Sequence, residues 1–388
     1  MKSKLANFIG IDLGSSKISA IAALITNSEC KILESCIHAS EGFKSGVIID
    51  FKQAENSIIS TIYSLERLCG KNIKNVAISI SGVSTKSSYV YNKIKINGTI
   101  SAQDVKKLLQ KTLNETKPKD EEIIHYFPME YTIDENTNVQ DPIGMYAKEL
   151  ICKLHIITLT NSVLLNIMNC FAKCQVEVDS IVLAIYADAL TCLTEDEKKI
   201  GTIIIDAGAK TTSWAIVLEN KVLYTSHIPI GSWHITSDIA NALSINFNIA
   251  EKIKILYGNA MYATTNTTIP LDELQDTSIN TKDLTNIINP RAEEIIELIK
   301  NEFDKIGIDH LISRKIVITG GGACLSGFKE LIGIAFEKQV RMSQNEINQA
   351  LTTSVGIANY MARNIKHIPS KGSSKIFTKF IDWFKHNV

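Results

Sequence analysis

Residues 8–24 read FIGIDLGSSKISAIAAL, and the fold depends on how this stretch is parsed. An apolar run ends in Asp12, breaks at Gly14-Ser15-Ser16-Lys17, and resumes as a second apolar run. Small and hydroxyl residues between two such runs predict a tight turn joining two strands. Residues 201–218, GTIIIDAGAKTTSWAIVL, repeat the plan: apolar run, Asp206, one residue, Gly208, a short polar turn, apolar run. The two copies stand roughly half the chain apart, which signals internal duplication and predicts two related lobes facing a cleft.

Both turns suit phosphate. Gly and small hydroxyl residues let backbone N–H groups point at anionic oxygens without a side-chain clash. A carboxylate at the strand end suits a hydrated magnesium ion, which keeps several of its waters. Asp12 and Asp206 are the candidates. A third glycine turn, Gly320-Gly321-Gly322 in IVITGGGACLSG (316–327), follows an apolar run and precedes a helical pattern. No GK[ST] follows it, so it is not a P-loop. Bare glycines there admit a flat adenine or a ribose close to the backbone. Glu251 and Lys254 fall on one face of the helical stretch AEKIKILYG. They either flank a nucleoside or form a solvated charged face. The candidate nucleotide site is therefore Asp12, Gly14, Ser15, Ser16, Lys17, Asp206, Gly208, Lys210, Thr211, Thr212, Glu251, Lys254, Gly320, Gly321 and Gly322.

Composition narrows the class. The 388 residues allow more than one domain or one bilobed fold, and 45% apolar content supports a large core. Lys+Arg and Asp+Glu balance at 41 each, which argues against a nucleic-acid binder. Eight cysteines are scattered with no CxxC, so reduced thiols are expected in place of zinc or disulfides. The start, MKSKLANFIGIDLG, has no signal-peptide pattern, and no apolar run is long enough to span a bilayer. A soluble or peripheral protein is expected.

Helical spacing over Ala54–Cys69, ending at Gly70, predicts a helix after three strands, and KNVAISISG a buried strand. Residues 83–155 change texture, with an alternating strand, a helix capped by Ser101 with Asp104 in its first turn, and further strands, as expected of an inserted unit. DSIVLAIYADALTCL reads as a helix, residues 260–281 as a loop, and PRAEEIIELIKNEFDKIG as a helix with Pro290 in its first turn. The expected division is 1–82 first lobe, 83–160 inserted subdomain, 161–200 first lobe again, 201–363 second lobe returning at its end to the first, 364–374 linker and 375–388 a terminal amphipathic helix.

That last segment, SSKIFTKFIDWFKHNV, carries Ile376, Phe377, Phe380, Ile381, Trp383 and Phe384 as one helical stripe, with Lys375, Lys379 and Lys385 interleaved. It is too short to span a membrane and reads as an interfacial helix attracted to anionic lipid. The alternative is a terminal helix docked on the protein's own core or on a partner.

Four stretches, GIDLGSSK (10–17), IPIGSWHITSDIANAL (228–243), AEKIKILYGNA (250–260) and IVITGGGACLSG (316–327), together resemble the actin-like ATPase superfamily, and within it the FtsA cell-division family. The inserted unit and the terminal helix fit that family's plan. The resemblance implies an α/β, actin-like bilobed fold with two RNase H-like cores and an FtsA-type inserted subdomain. It also implies ATP and magnesium as cofactors and self-assembly into filaments. Further implied are tethering of the FtsZ ring through the FtsZ C-terminal tail, contacts with later division proteins, and a peripheral position on the cytoplasmic side of the inner membrane at the division site. The region from about Trp233 to Arg314 is the partner surface it implies.

Two departures stand out. The family's second turn usually reads DxGGGTT, whereas here Ala209 and Lys210 replace glycines. Ala209 adds a methyl where phosphate should approach, and Lys210 either pairs with phosphate or points to solvent. The family's Glu-Pro before this hairpin is Ala184-Ile185 here, leaving Asp179 or Asp188 as substitutes. Nucleotide binding with slow or absent turnover is expected. The alternatives are a sugar or acid kinase of the same superfamily and a related pilus-assembly adaptor.

Overall fold

The computed structural model describes residues 6–26, 29–82, 84–261, 267–269, 279–307, 315–343 and 348–364. Strands β1 (Phe8–Leu13), β2 (Lys17–Thr26) and β3 (Glu29–Ala39) form an antiparallel meander. A short hairpin, β4 (Phe43–Lys44) and β5 (Val47–Ile48), leads into helix α1 (Phe51–Cys69), and β6 (Asn75–Ile80) then adds parallel to β1. The expected helix is present, capped by Asp50 at its start and by Gly70 at φ 63° at its end.

The inserted unit is a separate four-stranded sheet. It comprises β7 (Thr85–Thr99), helix α2 (Ala102–Thr116), β8 (Glu121–Ile133), β9 (Asn136–Val139) and β10 (Tyr146–Thr160), in spatial order β7-β10-β8-β9. Ser101 and Asp104 form the capping box that starts α2. Ile96, Leu108, Leu113, Tyr131, Leu150 and Leu154 give it a core of its own.

The chain then returns through helix α3 (Asn161–Lys173) to β11 (Glu177–Leu183), parallel to β6, and continues into α4 (Ala184–Cys192) and α5 (Glu195–Ile200). DSIVLAIYADALTCL therefore divides. Its first five residues belong to β11, because pairing with β6 claims the apolar run, and the helix starts only at Ala184.

The second sheet repeats the first. A meander of β12 (Thr202–Ala207), β13 (Thr212–Leu218) and β14 (Lys221–Ile228) is followed by helices α6 (Ser232–Leu243) and α7 (Phe247–Tyr257), a two-stranded pair β15 (Thr268–Ile269) and β16 (Ile279–Asn280), and helix α8 (Thr281–Ile306). Then β17 (Lys315–Thr319), helix α9 (Phe328–Phe336) and β18 (Gln339–Met342) follow, with β17 parallel to β12. The orders β11-β6-β1-β2-β3 and β14-β13-β12-β17-β18 share one connectivity, so the duplication is real at the level of topology. It reaches the register: Asp12 stands opposite Ser19, and Asp206 opposite Ser213.

Helix α8 starts earlier than its sequence suggests. Asn280 caps it by accepting from the Asp283 N–H at 2.8 Å, so Pro290 lies inside the helix and not in its first turn. Burial of Leu284, Ile288, Ala292 and Ile295 on one face outweighs the hydrogen bond that proline removes. Helix α10 (Thr352–Asn364) closes the described chain, packing on α4, β1 and β2. Gly356 makes that crossing possible, since a Cβ there would come within 2.0 Å of Ala187 O. The linker from 365 onward and the terminal stripe, Lys375, Ile376, Phe377, Lys379, Phe380, Ile381, Trp383 and Phe384, lie outside the described residues. Among the described residues no helix is long and apolar enough to cross a membrane.

Candidate functional site

Both strand-end turns open into one cleft of about 890 Å³ between the sheets. The first lobe contributes Asp12, Gly14, Ser15, Ser16 and Lys17, and the second contributes Asp206, Gly208, Lys210 and Thr211. Glu251 and Lys254 line its side, and Gly320, Gly321 and Gly322 its far wall. Of the nucleotide-site residues read from sequence, Thr212 alone is not on this lining. It is fully buried as the first residue of β13, and its hydroxyl donates to Ile230 O at 2.9 Å. Strand alternation explains the difference, since one residue along a strand reverses the side-chain direction.

The turns are narrow by construction. A Cβ at Gly14 would meet Lys17 O at 2.6 Å, and one at Gly208 would meet Thr211 O at 2.8 Å. The start of α6 braces the second turn, with the Ser232 and Trp233 N–H groups donating to Gly208 O and Ala209 O at 3.0 and 2.8 Å. Gly320 has φ 87°, and a Cβ there would lie 2.2 Å from Asp206 Oδ1. Ala209 and Lys210 are not among the residues at positive φ, so replacing glycine at these two positions costs no backbone strain. The Lys210 ammonium lies 3.5 Å from Phe43 O of the opposite lobe and 5.9 Å from the Trp233 ring centroid. Its own carbonyl accepts from Ser45 Oγ at 3.5 Å, and the Ser45 N–H donates to Ser15 Oγ at 3.0 Å. The tip of the β4–β5 hairpin thus touches both turns.

Lys254 is buried, and its ammonium donates to Thr236 Oγ1 and Glu251 Oε2 at 2.8 Å and to Ser232 O at 3.2 Å. Those three bonds use all its protons. It joins α7 to α6, whereas the Glu251 side chain stays half open to the cleft.

Carboxylates dominate the floor. Asp12 Oδ1 accepts from Ser79 Oγ at 2.6 Å; burial raises its pKa, and Ser79 and Lys17 oppose that shift. Asp206 is pushed up to about 7, first by burial and then by the Asp12 charge. Asp188 on α4 is raised well above the carboxylate range by burial and by Asp206. Of the two substitute carboxylates considered from sequence, Asp179 accepts instead from Asn75 Nδ2 at 2.7 Å and is not on the cleft lining, while Asp188 is. Among the described residues no three acidic, His or Cys side chains converge closely enough to ligate a metal directly. Asp12 and Asp206 stand at the ends of the two strands with glycine turns above them, and their carboxyls resist ionising together, a set that a hydrated magnesium ion carrying phosphate would neutralise.

Sequence reasoning missed several lining residues. Trp233, Phe247, Ile255, Leu256 and Tyr257 form an apolar side, and Thr352 and Thr353 bring in the start of α10. The run Thr352-Thr353-Ser354 ahead of an apolar stretch was a legible helix start. Nothing local placed it beside Asp12.

Comparison with known proteins places these features. The family described as Cell division protein FtsA matches residues 203–362, and the SHS2 domain inserted in FTSA matches residues 82–158. The chain is 30% identical to Cell division protein FtsA of Borreliella burgdorferi, with 97% of each chain covered. It is 30% identical to that of Pseudomonas aeruginosa, over 86% of this chain and 82% of the relative. Among solved structures, MreB5 of Spiroplasma citri bound to ADP is similar with a TM-score of 0.58 at 14% identity, covering 93% of this chain and 98% of that one. The PilM-PilN type IV pilus biogenesis complex gives 0.65 at 12%, covering 92% and 98%. At such identities the likeness carries the actin-like fold alone.

Proposed function

The chain belongs to the FtsA family of cell-division proteins, and from that premise we propose that it binds ATP with magnesium in the interlobe cleft, assembles into filaments, and ties the FtsZ C-terminal tail to the cytoplasmic face of the inner membrane. The observation that carries the nucleotide reading is the pair of matched turns, Gly14–Lys17 and Gly208–Thr211, opening onto one cleft with a carboxylate at the end of each strand. Backbone N–H groups of both turns and the hydroxyls of Ser15, Ser16 and Thr211 supply donors for phosphate oxygens. Asp12 and Asp206 hold the waters of magnesium, whose chemistry is to neutralise the phosphate charge. Gly320–Gly322 leave room for the nucleoside, and Glu251 accepts from its hydroxyls. A neighbour of the same fold solved with ADP supports this assignment.

Turnover is slow in this reading. Hydrolysis needs an oriented water as well as charge stabilisation. At the start of α4, the side chains of Ala184 and Ile185 offer no carboxylate or other polar group to orient a water.

The scaffold role rests on the remaining surfaces. The second-lobe region 233–314 is the proposed seat of the FtsZ tail, and it presents Ile255 and Leu256, each 69% exposed. The inserted sheet is proposed to contact neighbouring copies or later division proteins. The lysine-flanked aromatic stripe at 375–388 supplies a modest foot on anionic lipid, strengthened when many copies assemble.

The test is to follow ATP labelled on its terminal phosphate in the presence of magnesium. Label retained as intact bound ATP supports a nucleotide-gated scaffold. Label transferred to a small molecule from cell extract makes the protein a kinase, and label that never binds removes the nucleotide reading.

A further inference from the structure

Two buried oxygens at the floor of the cleft have no partner. Asp188 is 1% exposed; its Oδ1 accepts from Thr353 Oγ1 at 2.8 Å, while its Oδ2 has no hydrogen bond. Thr352, 2% exposed, has a hydroxyl that is likewise unpartnered. Both residues line the cleft, from different helices. A buried polar oxygen left unpaired is costly, so a carboxyl oxygen and a hydroxyl without partners on residues that line one cleft mark a seat for something polar.

The elements explain why they meet. Asp188 lies one turn beyond Ala184 on α4, and side chains four apart share a helix face. Ala184 also lines the cleft, so that face looks inward. Thr352 and Thr353 form the first turn of α10, entered directly from a 3-10 turn at Gln349–Leu351 whose Gln349 O accepts from the Thr352 N–H. The α4–α10 crossing at Ala187 and Gly356 and the bond between Ser19 and Ser354 hydroxyls at 2.5 Å fix that turn against β2. Direct ligation is not the role, because the carboxylates do not converge on one ligand sphere.

We propose that Asp188, held by Thr353, is the third carboxylate of this site and that its free oxygen, with the Thr352 hydroxyl, positions the water shell of the divalent cation that accompanies a bound nucleotide. The inference rests on the nucleotide reading above. It makes α10 part of the site: the helix from which the chain leaves the described body is anchored through Thr353 to a cation-sensing carboxylate. Asp188 is a positioning residue, because it acts on the cation through water.

The test measures ATP affinity by calorimetry with magnesium and again with chelator, in the full chain. For the wild type, magnesium strengthens binding. In Asp188→Asn the ratio of the two affinities falls at least about tenfold, because the hydrated cation ionises the otherwise protonated Asp188 carboxyl and the amide has no proton to give up, so the gain that magnesium brings is lost. Thr353→Val lowers the same ratio about threefold, and Thr353→Ser restores it. A merely structural role would lower both affinities together and leave the ratio unmoved. A wild-type ratio preserved in Asp188→Asn overturns the proposal while leaving nucleotide binding intact. If Asp188→Asn does not fold, the Thr353 pair decides: equal ratios in the valine and serine variants overturn it. A wild type that binds no ATP in either condition fails at the nucleotide reading itself.

Discussion

The two strand-end turns have the same register and different duties. In the first, Asp12 is pinned by Ser79, and Lys17 lies close enough to the cleft carboxylates to oppose the rise in the Asp12 and Asp206 pKa values. In the second, Asp206 lies against Gly320 and its lysine turns away: Lys210 reaches across to Phe43 O of the other lobe. The hairpin β4–β5 touches both through Ser45. Duplicated topology thus leaves each turn free to divide the labour, one lysine serving the charge on the floor and the other bridging the lobes. Burial also lowers the Lys210 pKa, with Lys44 beside it adding to the shift.

The largest effect that would break this picture is expected at Gly320. Alanine there must place a Cβ 2.2 Å from Asp206 Oδ1 at a φ of 87°. It should cost about 1–3 kcal/mol of stability, read by denaturant titration, and displace the Asp206 carboxylate. The corresponding change at Gly321, where a Cβ meets open space, should cost far less. Equal losses at the two positions would mean that the far wall does not constrain Asp206.

Next comes the pH dependence of the second turn. The Asp206 pKa is raised in the folded state from 3.8 to about 7, so the folded protein holds a proton that the unfolded chain has released. Stability from this group is therefore full below about pH 4, lost as pH rises towards 7, and flat above, with a slope of at most about 1.4 kcal/mol per pH unit. Asp206→Asn should remove that loss, so its stability advantage over the wild type, measured without nucleotide or divalent cation, should widen from pH 4 to 7. A pH-independent difference would contradict the charge assignment. Buried His125 and His155, lowered to about 3 and about 4, act with the opposite sign in both proteins and cancel in the difference.

The smallest effect belongs to the bridge. Lys210→Met keeps the stem over Trp233 and removes the ammonium near Phe43 O. Nucleotide should dissociate about threefold faster, a change near 0.6 kcal/mol, consistent with one partly exposed hydrogen bond. An unchanged dissociation rate in stopped flow would reduce Lys210 to a solvated side chain.

Much of the molecule was legible from residues 8–24 and 201–218, because a strand, an Asp, a glycine turn and a strand are local features set by side-chain alternation and backbone sterics. The helix start at Ser101 and the stop at Gly70 were legible for the same reason, since caps are local chemistry, whereas α1 starts at Phe51 behind its Asp50 cap, three residues before the expected Ala54. Errors came where a distant element competed for the same residues. Pairing with β6 drew Asp179–Leu183 into a strand, and the burial of one face of α8 carried a helix through Pro290.

What the sequence determined by itself, then, is the duplicated strand–turn–strand plan, the three glycine turns and the placing of a carboxylate at each strand end. Only the tertiary structure decided that Thr212 faces inward while Thr211 lines the cleft, that Lys210 bridges the lobes, and that Asp188 meets Thr353 from 165 residues away in the chain. The physical reason is separation. Local propensity acts over a turn or two of chain, whereas the floor of this cleft is made where α4 and α10 cross, and that crossing depends on Gly356 leaving room for Ala187.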